Sequence, residues 1–575
     1  MPDTSAISPV TVSLSGGLIL DKDDFSMPPG AAVQLQNFEP SIQGGYRRLT
    51  GNSKFDSSQV NSTNAVLGVK IFNNGVLAAA GNLVKFSTGT GWSTSIGTRT
   101  SAGRYKFDDF NFNNTTKVVM VDDVNQAATF DGSTYTLLSA TGAPADPASV
   151  AVFRDHMFFA GMSTNPQEIV FSAPFNEADF SAANGAGSIK VDTPVVELKV
   201  FRDALFIFGK DKIYQLQGTS IADWQVAPVT RTLGCADGFS VQEIGGDLLF
   251  LSPDGIRTVA ATARIGDVEL GSVSKPIQKR IQDIGFDNIS SVIVRNKSQY
   301  RLFYPKDGAA AGDSSGILAT LKRTQQGIGF EFADIKGMKP SSMDSGFISN
   351  TEYIIEGGYD GYVRRQESGD TFDGSNVVAV YRSPDLSLGD TGIRKLMQRV
   401  ILNYEVEGTV DAQLRIRYDS DSKDVPQPTF FDIASPGGIA IYGSSSSTYA
   451  SAVYDSSGAP IFRRAIEGSG FLIAVRVNHD SANNPFTLHS YQLEFTAGGR
   501  RYWGQPIQDK LVQKLLMVKS SMQQILIMNL LNEFLPVLLL LDIHMMVLLL
   551  KVALLLNFWV QLSQLVTVQQ EQILQ

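Results

Sequence analysis

Short apolar runs alternate with polar turns along most of the chain, and one such segment recurs. Residues 200–218, VFRDALFIFGKDKIYQLQG, contain three apolar runs separated by two turns. Similar segments follow one another at intervals of roughly 40–50 residues, as expected for propeller blades with several short strands each. The sequence therefore predicts a β-propeller of about seven blades over residues 61–375. The seven segments are marked by Phe72, Phe112, Phe153, Phe201, Gly245, Arg295 and Ser349.

The turns within these segments use residues that tolerate a positive φ. Asn73 and Asn74 precede Gly75 in the first segment, and Pro253-Asp254-Gly255 marks a turn in the fifth. The third and fourth segments share the string VFRD, which is the strongest internal evidence for repetition. We therefore interpret Arg202 and Asp203 as turn residues rather than as a site.

The regions on either side of the predicted propeller have a different spacing of apolar runs and turns. Residues 1–60 are rich in Gly and Pro and predict an extended arm with the first strands. Residues 376–501 contain longer strand-like runs, which favour a β-sandwich-like domain. Residues 274–284, SKPIQKRIQDI, have isoleucines at helical spacing and predict a short helix that serves packing. The overall fold class is therefore all-β, with a propeller followed by a sandwich-like domain.

The last segment, residues 502–575, is an anomalous apolar tail. Its only glycine is Gly504, and runs such as VLLLL replace the strands punctuated by Phe and Gly. Three interpretations stay open: out-of-frame translation after a frameshift, a helix that packs in an assembly, or a membrane-seeking segment. The run 545–560 is shorter than the ~20 residues that a membrane-spanning helix needs.

Composition supports the all-β assignment and limits the chemistry. The chain of 575 residues has 52 Gly and 34 Phe with only 18% charged residues, as expected for many short strands joined by tight turns. Its formal net charge of −9 argues against a surface that grips nucleic acid, although DNA could still slide through a conduit. Cys235 is the single cysteine, so no intramolecular disulfide is expected, and we interpret it as a small buried residue.

No basic start followed by an apolar run opens the sequence, so synthesis in the cytoplasm is expected. The sequence has no HExxH pair and no phosphate-binding loop. We therefore predict no catalytic, cofactor-binding or metal-ligating residues, no cofactor and no enzymatic activity. The four histidines, for which solvated or hydrogen-bonded roles are favoured, are His156, His479, His489 and His544.

Several other residues have two interpretations. The acids of YDSDSKD offer oxygen ligands for calcium, but a solvated acidic loop is favoured. Arg47 and Arg48 could contact phosphate or a partner subunit, whereas an internal salt bridge or a solvated strand end is the simpler account. Trp92 and Trp224 could stack on sugars or fill the core. The acids of the YDSDSKD loop are Asp419, Asp421 and Asp424. Four further acids, Asp155, Asp203, Asp247 and Asp254, lie at turns.

Four blocks of sequence resemble a known family. They are GGLILDKDDFSMPPGAAVQLQNFEPSIQGGYRRLTG, FLSPDGIRTVAATARIGDVELGSVSKPIQ, SPDLSLGDTGIRKLMQRVILNYEVEG and HSYQLEFTAGGRR, in the expected order over roughly residues 15–501. Together they resemble the propeller-containing tail nozzle, or tail tube, proteins of short-tailed bacteriophages. After Arg501 the chain departs from that pattern, because similar proteins tend to end near a GRR-like terminus.

The resemblance implies a structural, non-enzymatic virion protein in the phage tail. It implies a ring, expected to be a hexamer, below the portal and adaptor proteins, with tail fibres as neighbours and DNA leaving through the ring. An acidic lumen would let DNA slide without sticking. The first alternative is a virion propeller that binds a host-surface receptor or glycan. The second is a propeller glycosidase, which requires a central cluster of acidic residues.

Overall fold

A computed structural model describes residues 7–101, 103–259, 272–306, 308–310, 312–324, 327–434 and 461–500. The described residues up to Gly499 belong to one compact unit. The predicted apolar tail, residues 502–575, and His544 lie outside the described residues. Within the described part, no helix has the length and apolar character needed to cross a membrane.

The first five strands belong to three different sheets, and all of them except β3 pair with a strand that is distant in sequence. A 3₁₀ turn, Asp24–Ser26, follows the first strand. The strands are β1 (Ser8–Ser13), β2 (Gln34–Gln36), β3 (Phe38–Pro40), β4 (Tyr46–Arg48) and β5 (Asn52–Lys54).

Four antiparallel meanders of four strands follow, each forming a separate sheet. They are the first four blades of a propeller. Blade 1 consists of β6 (Val66–Phe72), β7 (Gly75–Ala80), β8 (Leu83–Ser87) and β9 (Gly97–Thr98). Blade 2 consists of β10 (Lys106–Phe112), β11 (Thr115–Val121), β12 (Ala128–Phe130) and β13 (Tyr135–Leu137). Blade 3 consists of β14 (Ser149–Phe153), β15 (His156–Ala160), β16 (Glu168–Phe171) and β17 (Gly187–Lys190). Blade 4 consists of β18 (Val195–Phe201), β19 (Ala204–Gly209), β20 (Ile213–Gln217) and β21 (Gln225–Thr230).

Blade 5 has three strands, and the next four strands enter a larger sheet. A 3₁₀ turn, Gly238–Ser240, leads into blade 5, which consists of β22 (Gln242–Ile244), β23 (Asp247–Ser252) and β24 (Gly255–Thr258). The predicted helix is confirmed as a 3₁₀ turn, Lys275–Ile277, followed by one helical turn, α1 (Gln278–Ile281). The next strands are β25 (Ser290–Val294), β26 (Gln299–Pro305), β27 (Ser314–Thr324) and β28 (Gly327–Ile335).

Blade 6 is completed by a strand from the beginning of the chain. Its own strands are β29 (Pro340–Ile348), β30 (Thr351–Gly358) and β31 (Val363–Gln366). The fourth strand is β5, which pairs antiparallel with β31 through Asn52 opposite Gln366 and Lys54 opposite Arg364. A strand that comes before blade 1 in sequence therefore completes blade 6.

The remaining strands form two large sheets together with earlier segments. They are β32 (Val377–Arg382), β33 (Ile393–Val406), β34 (Asp411–Tyr418), β35 (Phe431–Ala434), β36 (Ile461–Ala465), β37 (Ser469–Gly470), β38 (Ile473–Ser481) and β39 (Phe486–Arg500). The nine-stranded sheet has the order β25-β26-β27-β28-β2-β32-β38-β34-β35. The seven-stranded sheet has the order β3-β4-β39-β33-β36, with β1 paired to β39 and β37 to β33.

The two large sheets share one apolar core. Tyr46 of the seven-stranded sheet packs against Tyr381 of the nine-stranded sheet, with 5.6 Å between ring centroids. Ile277 and Ile281 of the short helical segment are buried in the same core, so this segment serves packing, as predicted. The region predicted as a sandwich-like domain, residues 376–501, contributes to both sheets. Both sheets also contain strands from within residues 1–60, and one contains β25–β28.

The all-β class and the propeller are confirmed, but a seven-bladed ring is not. The described residues contain six small sheets in a propeller arrangement. The sixth predicted segment, marked by Arg295, lies instead in the nine-stranded sheet, because β28 continues into β2 and β32 rather than ending the meander. All seven markers lie at or beside the hairpin between the first two strands of their segment.

Most of these first hairpins have two-residue turns with positive φ at both positions, the conformation that matches the twist of the paired strands. Asparagine and glycine tolerate it best, which explains why the sequence pattern located the turns. The five pairs are Asn73 and Asn74, Asn113 and Asn114, Arg154 and Asp155, Gly245 and Gly246, and Ser349 and Asn350.

We expect the turn at Asn114 to tolerate glycine but not a β-branched residue. Its φ is 64°, a conformation that costs most L-residues about 1–2 kcal/mol. Asn114→Val should therefore lower the free energy of unfolding by about 1–2 kcal/mol, whereas Asn114→Gly should change it by less than ~0.5 kcal/mol. Urea denaturation of both variants measures the difference, and equal effects would contradict the proposed strain.

Candidate functional site

The first strands of the blades surround a small axial cavity of about 190 Å³. Its lining comes from β6, β10, β18, β22 and β29 of five blades and from β25 of the nine-stranded sheet. Blade 3 is linked to these strands by hydrogen bonds, because the Val152 amide donates to Asp108 at 2.8 Å and the Leu198 amide donates to Ser149 at 2.9 Å. Clefts of this kind are where a propeller brings side chains from separate blades together.

Charged side chains of both signs line the axial cavity and pair with one another. Lys70 lies 2.9 Å from Asp109 and 3.9 Å from Asp344, whose carboxylate also accepts the Ile71 amide at 2.8 Å. Lys106 forms a short ion pair with Glu197 and donates to the Val196 carbonyl at 3.0 Å. Each of these carboxylates therefore has a lysine or an amide as its partner.

The narrow cavity changes the protonation behaviour of its acids. Burial raises the pKa of Glu197, although Lys106 opposes this shift. Burial likewise raises the pKa of Asp108, against the Val152 amide and the charges of Lys199 and Lys70. The pKa of Lys70 is raised, since Asp344 and Asp109 outweigh the effect of its burial. The cavity thus holds balanced, mutually stabilised charges rather than an uncompensated acidic cluster.

A second, larger cavity lies beside the first hairpins of blades 3 to 5. It has a volume of about 690 Å³, and its lining includes Phe201 and Phe206 together with Asp203 and Asp247. Arg202 also lines it and donates a hydrogen bond to the Gly246 carbonyl at 2.8 Å. The structure therefore brings Asp203 and Asp247, predicted as turn residues, to one open cavity with a mixed apolar and charged wall.

Asp155 and Asp254 lie apart from that cavity's lining. Asp155 occupies the turn between β14 and β15 with a φ of 66°. Asp254 forms a two-pronged ion pair with Arg257, at 2.5 and 3.0 Å. Turn geometry and local pairing account for both residues, as predicted.

A buried charge network joins the large sheets to blade 6. Arg301 on β26, almost inaccessible to solvent, forms a short ion pair with Glu367 and donates to Gln366 on β31 at 2.9 Å. Its guanidinium also lies 3.5 Å from Glu39 on β3. Lys297 bridges the two acids, at 2.8 Å from Glu39 and 2.6 Å from Glu367. Burial alone would raise the pKa of Glu367, but Arg301 and Lys297 hold it well below its usual range.

Arg47 and Arg48, which are adjacent on β4, both contact groups of this chain. Arg47 forms a bidentate pair with Glu407, at 2.5 and 2.7 Å, and a further contact with Glu39 at 3.0 Å. Arg48 is fully buried and donates to the carbonyl of Asp370 at 2.6 Å, and burial lowers its pKa to about 10. The predicted internal salt bridge is confirmed for Arg47, whereas Arg48 is buried and donates to backbone carbonyls, which the sequence did not predict.

The described histidines have structural partners. His156 is buried among aromatic rings, and its Nδ1 lies 2.6 Å from the Ser172 carbonyl. His479 Nδ1 contacts the Val377 carbonyl at 3.1 Å, and burial lowers its pKa. His489 lies on the other large sheet and contacts Glu405 at 3.4 Å. No group of three or more metal-ligating side chains occurs among the described residues.

The acids of the YDSDSKD loop bind protein groups. Asp419 accepts the amides of Phe471 and Leu472, at 2.7 and 2.9 Å. Asp421 pairs with Arg417 at 2.6 Å. Asp424 lies in the loop after the 3₁₀ turn Asp419–Asp421, where its amide donates to Ser422. The loop is therefore organised by hydrogen bonds and arginines, and the calcium interpretation gains no support.

Both candidate tryptophans are half-buried and fill space between strands. The Trp224 ring lies 5.1 to 5.3 Å from the rings of Phe171, His156 and Phe158. Trp92 packs against the core between blades 1 and 6 and donates to the Ser58 carbonyl at 3.0 Å. These contacts favour the packing role over an open stacking platform.

Cys235 is buried, as predicted, and should be nearly inert to thiol reagents. Burial raises its pKa to about 12, and its thiol donates to the Asp237 carbonyl at 3.2 Å. A raised pKa leaves very little of the reactive thiolate at neutral pH. We expect a thiol-specific chromogenic reagent to label the native protein much more slowly than protein unfolded in guanidinium. Comparable labelling rates would contradict this assignment.

Comparisons with solved structures give only distant matches, all with TM-scores below 0.5. The sequence matches no protein-family profile and no curated protein sequence. Structural neighbours are propeller proteins of varied function. The computationally designed Ika8 protein has 10% identity and a TM-score of 0.32, covering 55% of this chain and 99% of Ika8. BamB from Moraxella catarrhalis has 14% identity and a TM-score of 0.30, covering 54% of this chain and 99% of BamB.

An ancestral GH74 enzyme has 13% identity and a TM-score of 0.32, and the match covers 60% of this chain. The chain spans about half the length of that enzyme, since 51% of it is covered. Similarity at this level to these three proteins carries no argument about the activity, the ligands or the assembly of this chain.

Proposed function

We propose that this chain is a structural virion protein that forms the tail nozzle ring of a short-tailed phage. The observation that carries the proposal is where the family-like blocks lie. Three of them supply β4, β33 and β39, which are adjacent in the seven-stranded sheet. The fourth reaches the first through a hydrogen bond from the Leu20 amide to the Pro276 carbonyl at 2.7 Å. Three blocks far apart in sequence thus form one region outside the six small blades, and the remaining block connects this region to blade 5, to which it contributes β24.

We further propose that β25–β28 take the seventh position around the propeller axis. Ser290 and Ser291 of β25 line the axial cavity beside the first strands of the blades. Gln242 of blade 5 donates to the Ser291 carbonyl at 3.2 Å, and Ser290 donates to the Pro340 carbonyl of blade 6 at 3.3 Å. β25 therefore lies between the first strands of blades 5 and 6, where a seventh blade would lie.

The proposed role is non-enzymatic, with DNA passing through a ring of copies in the virion tail. The partners are further copies of the chain, expected to be six, together with portal-side adaptor proteins and tail fibres. The paired charges of the axial cavity support this role, because a glycosidase needs two carboxyl groups free to exchange protons. The net charge of −9 supports a lumen that repels phosphate.

Electron microscopy of phage particles that contain this chain, labelled with an antibody against it, tests the proposal. We expect label on the tail axis below the portal, and a ring in averaged images of the tail. Label confined to peripheral spikes would overturn the nozzle and support the receptor-binding alternative. Light scattering of the purified full chain provides an independent measurement, and a ring species at micromolar concentration is expected.

The second candidate function is a virion propeller that binds host-surface glycan. The observation that favours it is the open cavity of about 690 Å³, whose wall combines Phe201 and Phe206 with Gln215 and Gln217. Aromatic faces and side-chain amides are groups that sugars engage. A glycan array separates the two candidates, because a nozzle need show no defined sugar ligand. Loss of a defined glycan signal in Gln215→Ala would assign binding to this cavity.

A further inference from the structure

A row of arginines crosses the outer face of the nine-stranded sheet. Arg382 on β32 is directly opposite Arg476 on β38, which is directly opposite Arg415 on β34. Directly opposed residues in antiparallel strands point to the same face with Cβ atoms about 4.5–5.5 Å apart. Arg417 lies two residues beyond Arg415 and therefore shares that face. We call these four residues the arginine row.

The arginine row has more positive than negative charge around it. Asp24 lies 3.7 Å from Arg382, and Asp421 lies 2.6 Å from Arg417 and 3.4 Å from Arg415. Arg476, at the centre, donates to the Asn478 side chain at 2.9 Å and has no carboxylate within 4.0 Å in the described part of the chain. Four guanidinium groups thus face two carboxylates, which leaves an excess of two positive charges.

Two donors of the row are buried without an acceptor. The Nε atoms of Arg382 and Arg415 make no hydrogen bond although both are inaccessible to solvent. The side chains as a whole remain partly open, with 27% of Arg382 and 23% of Arg415 exposed. Burial, together with Arg417 and Arg415, lowers the pKa of Arg476. Buried unsatisfied donors and opposed like charges both destabilise a sheet, and a bound anion would offset the second of these costs.

We propose that the arginine row is a binding site for a phosphate-type oxyanion. Guanidinium groups present parallel N–H donors that match the oxygens of phosphate, and arginines whose Cβ atoms are only about 5 Å apart on one face can direct their donors to one such group. The site takes either free phosphate or a phosphate of a DNA backbone, since both offer the same oxygens. The proposal does not depend on ring formation, because every residue of the site comes from one chain.

Thermal unfolding in phosphate and in chloride, at equal ionic strength, tests the site. We expect Arg476→Gln to unfold at a higher temperature than the parent chain in chloride, because the central like charge is removed. In phosphate this order should reverse, since only the parent gains stability by binding. Titration calorimetry with inorganic phosphate should show an affinity at least tenfold weaker for the variant. Arg399→Gln, which removes an exposed arginine paired with Glu494 at 3.6 Å, is the matched control and should behave as the parent does in both salts.

A short DNA duplex distinguishes the sources of the phosphate. Binding by the parent that inorganic phosphate competes away and Arg476→Gln weakens assigns the site to DNA, whereas duplex binding equal in both chains assigns it to free phosphate. A parent without any phosphate response beyond that of Arg399→Gln would overturn the proposal. Loss of oligomers in Arg476→Gln with an unchanged phosphate response would also overturn it, because the row would then be a subunit contact.

Discussion

Replacing Arg301 with methionine is expected to lower the free energy of unfolding by about 3–5 kcal/mol, the usual effect of removing one partner of a buried ion pair. The guanidinium is the centre of the network that joins β26 to β31 and approaches Glu39 on β3. Without it, two buried carboxylates share Lys297 as their common cation. Urea denaturation followed by circular dichroism measures the loss as a lower midpoint.

A double variant shows whether charge or shape causes this loss. Adding Glu367→Gln to Arg301→Met removes one of the two carboxylates that then share Lys297, so we expect part of the stability to return. Arg399→Gln again serves as a control, because exposed ion pairs contribute only about 0–1 kcal/mol. An Arg301→Met chain as stable as this control would contradict the role assigned to the network.

Replacing Phe158 with alanine is expected to cost about 3–5 kcal/mol through loss of buried surface and formation of a cavity. The Phe158 ring is fully buried on β15 and packs 5.5 Å from Phe171 and 5.3 Å from Trp224. Because Trp224 loses a neighbour, its fluorescence should also shift to longer wavelength. Calorimetry and fluorescence of the variant measure the two effects.

Phe347→Ala provides the matched control, since this phenylalanine lies on blade strand β29 with 60% of its surface exposed. We expect its effect on the free energy of unfolding to stay within about 0.5 kcal/mol. Similar losses in the two variants would show that the blades tolerate cavities and would contradict the packing described around Trp224.

Local sequence signals predicted the blades because their turns are local. Asn73-Asn74 and Gly245-Gly246 favour positive φ wherever they occur, so hairpins could be placed without knowing any tertiary contact. The membership of β25–β28 in the nine-stranded sheet could not be predicted in this way. It depends on pairing with β2, almost 300 residues earlier, and no local pattern encodes such a partner.

Side-chain environments were harder to predict than strands. Arg48 and Arg301 both lie in strands, and nothing in the local sequence pattern predicts that both are fully buried. The arginine row was not predicted either, because Arg382, Arg415 and Arg476 become neighbours only through the register of three strands. For Asp421 the sequence favoured a solvated acidic loop, but its partners are Arg417 and Arg415, only four and six residues earlier in the chain.

The strand β5 completes blade 6 by pairing with β31. During synthesis, β5 must therefore wait for a partner that is made much later. At about 5–20 residues per second, the ribosome needs on the order of 15–60 s to make the segment between these strands. During that interval β5 and its neighbours have free edges, and β1 waits still longer for β39. Unpaired edges are the surfaces that join strands of other chains. The nascent chain is therefore most exposed to misassembly before β31 is made and the propeller can close. Slow translation should then lower the yield of folded protein.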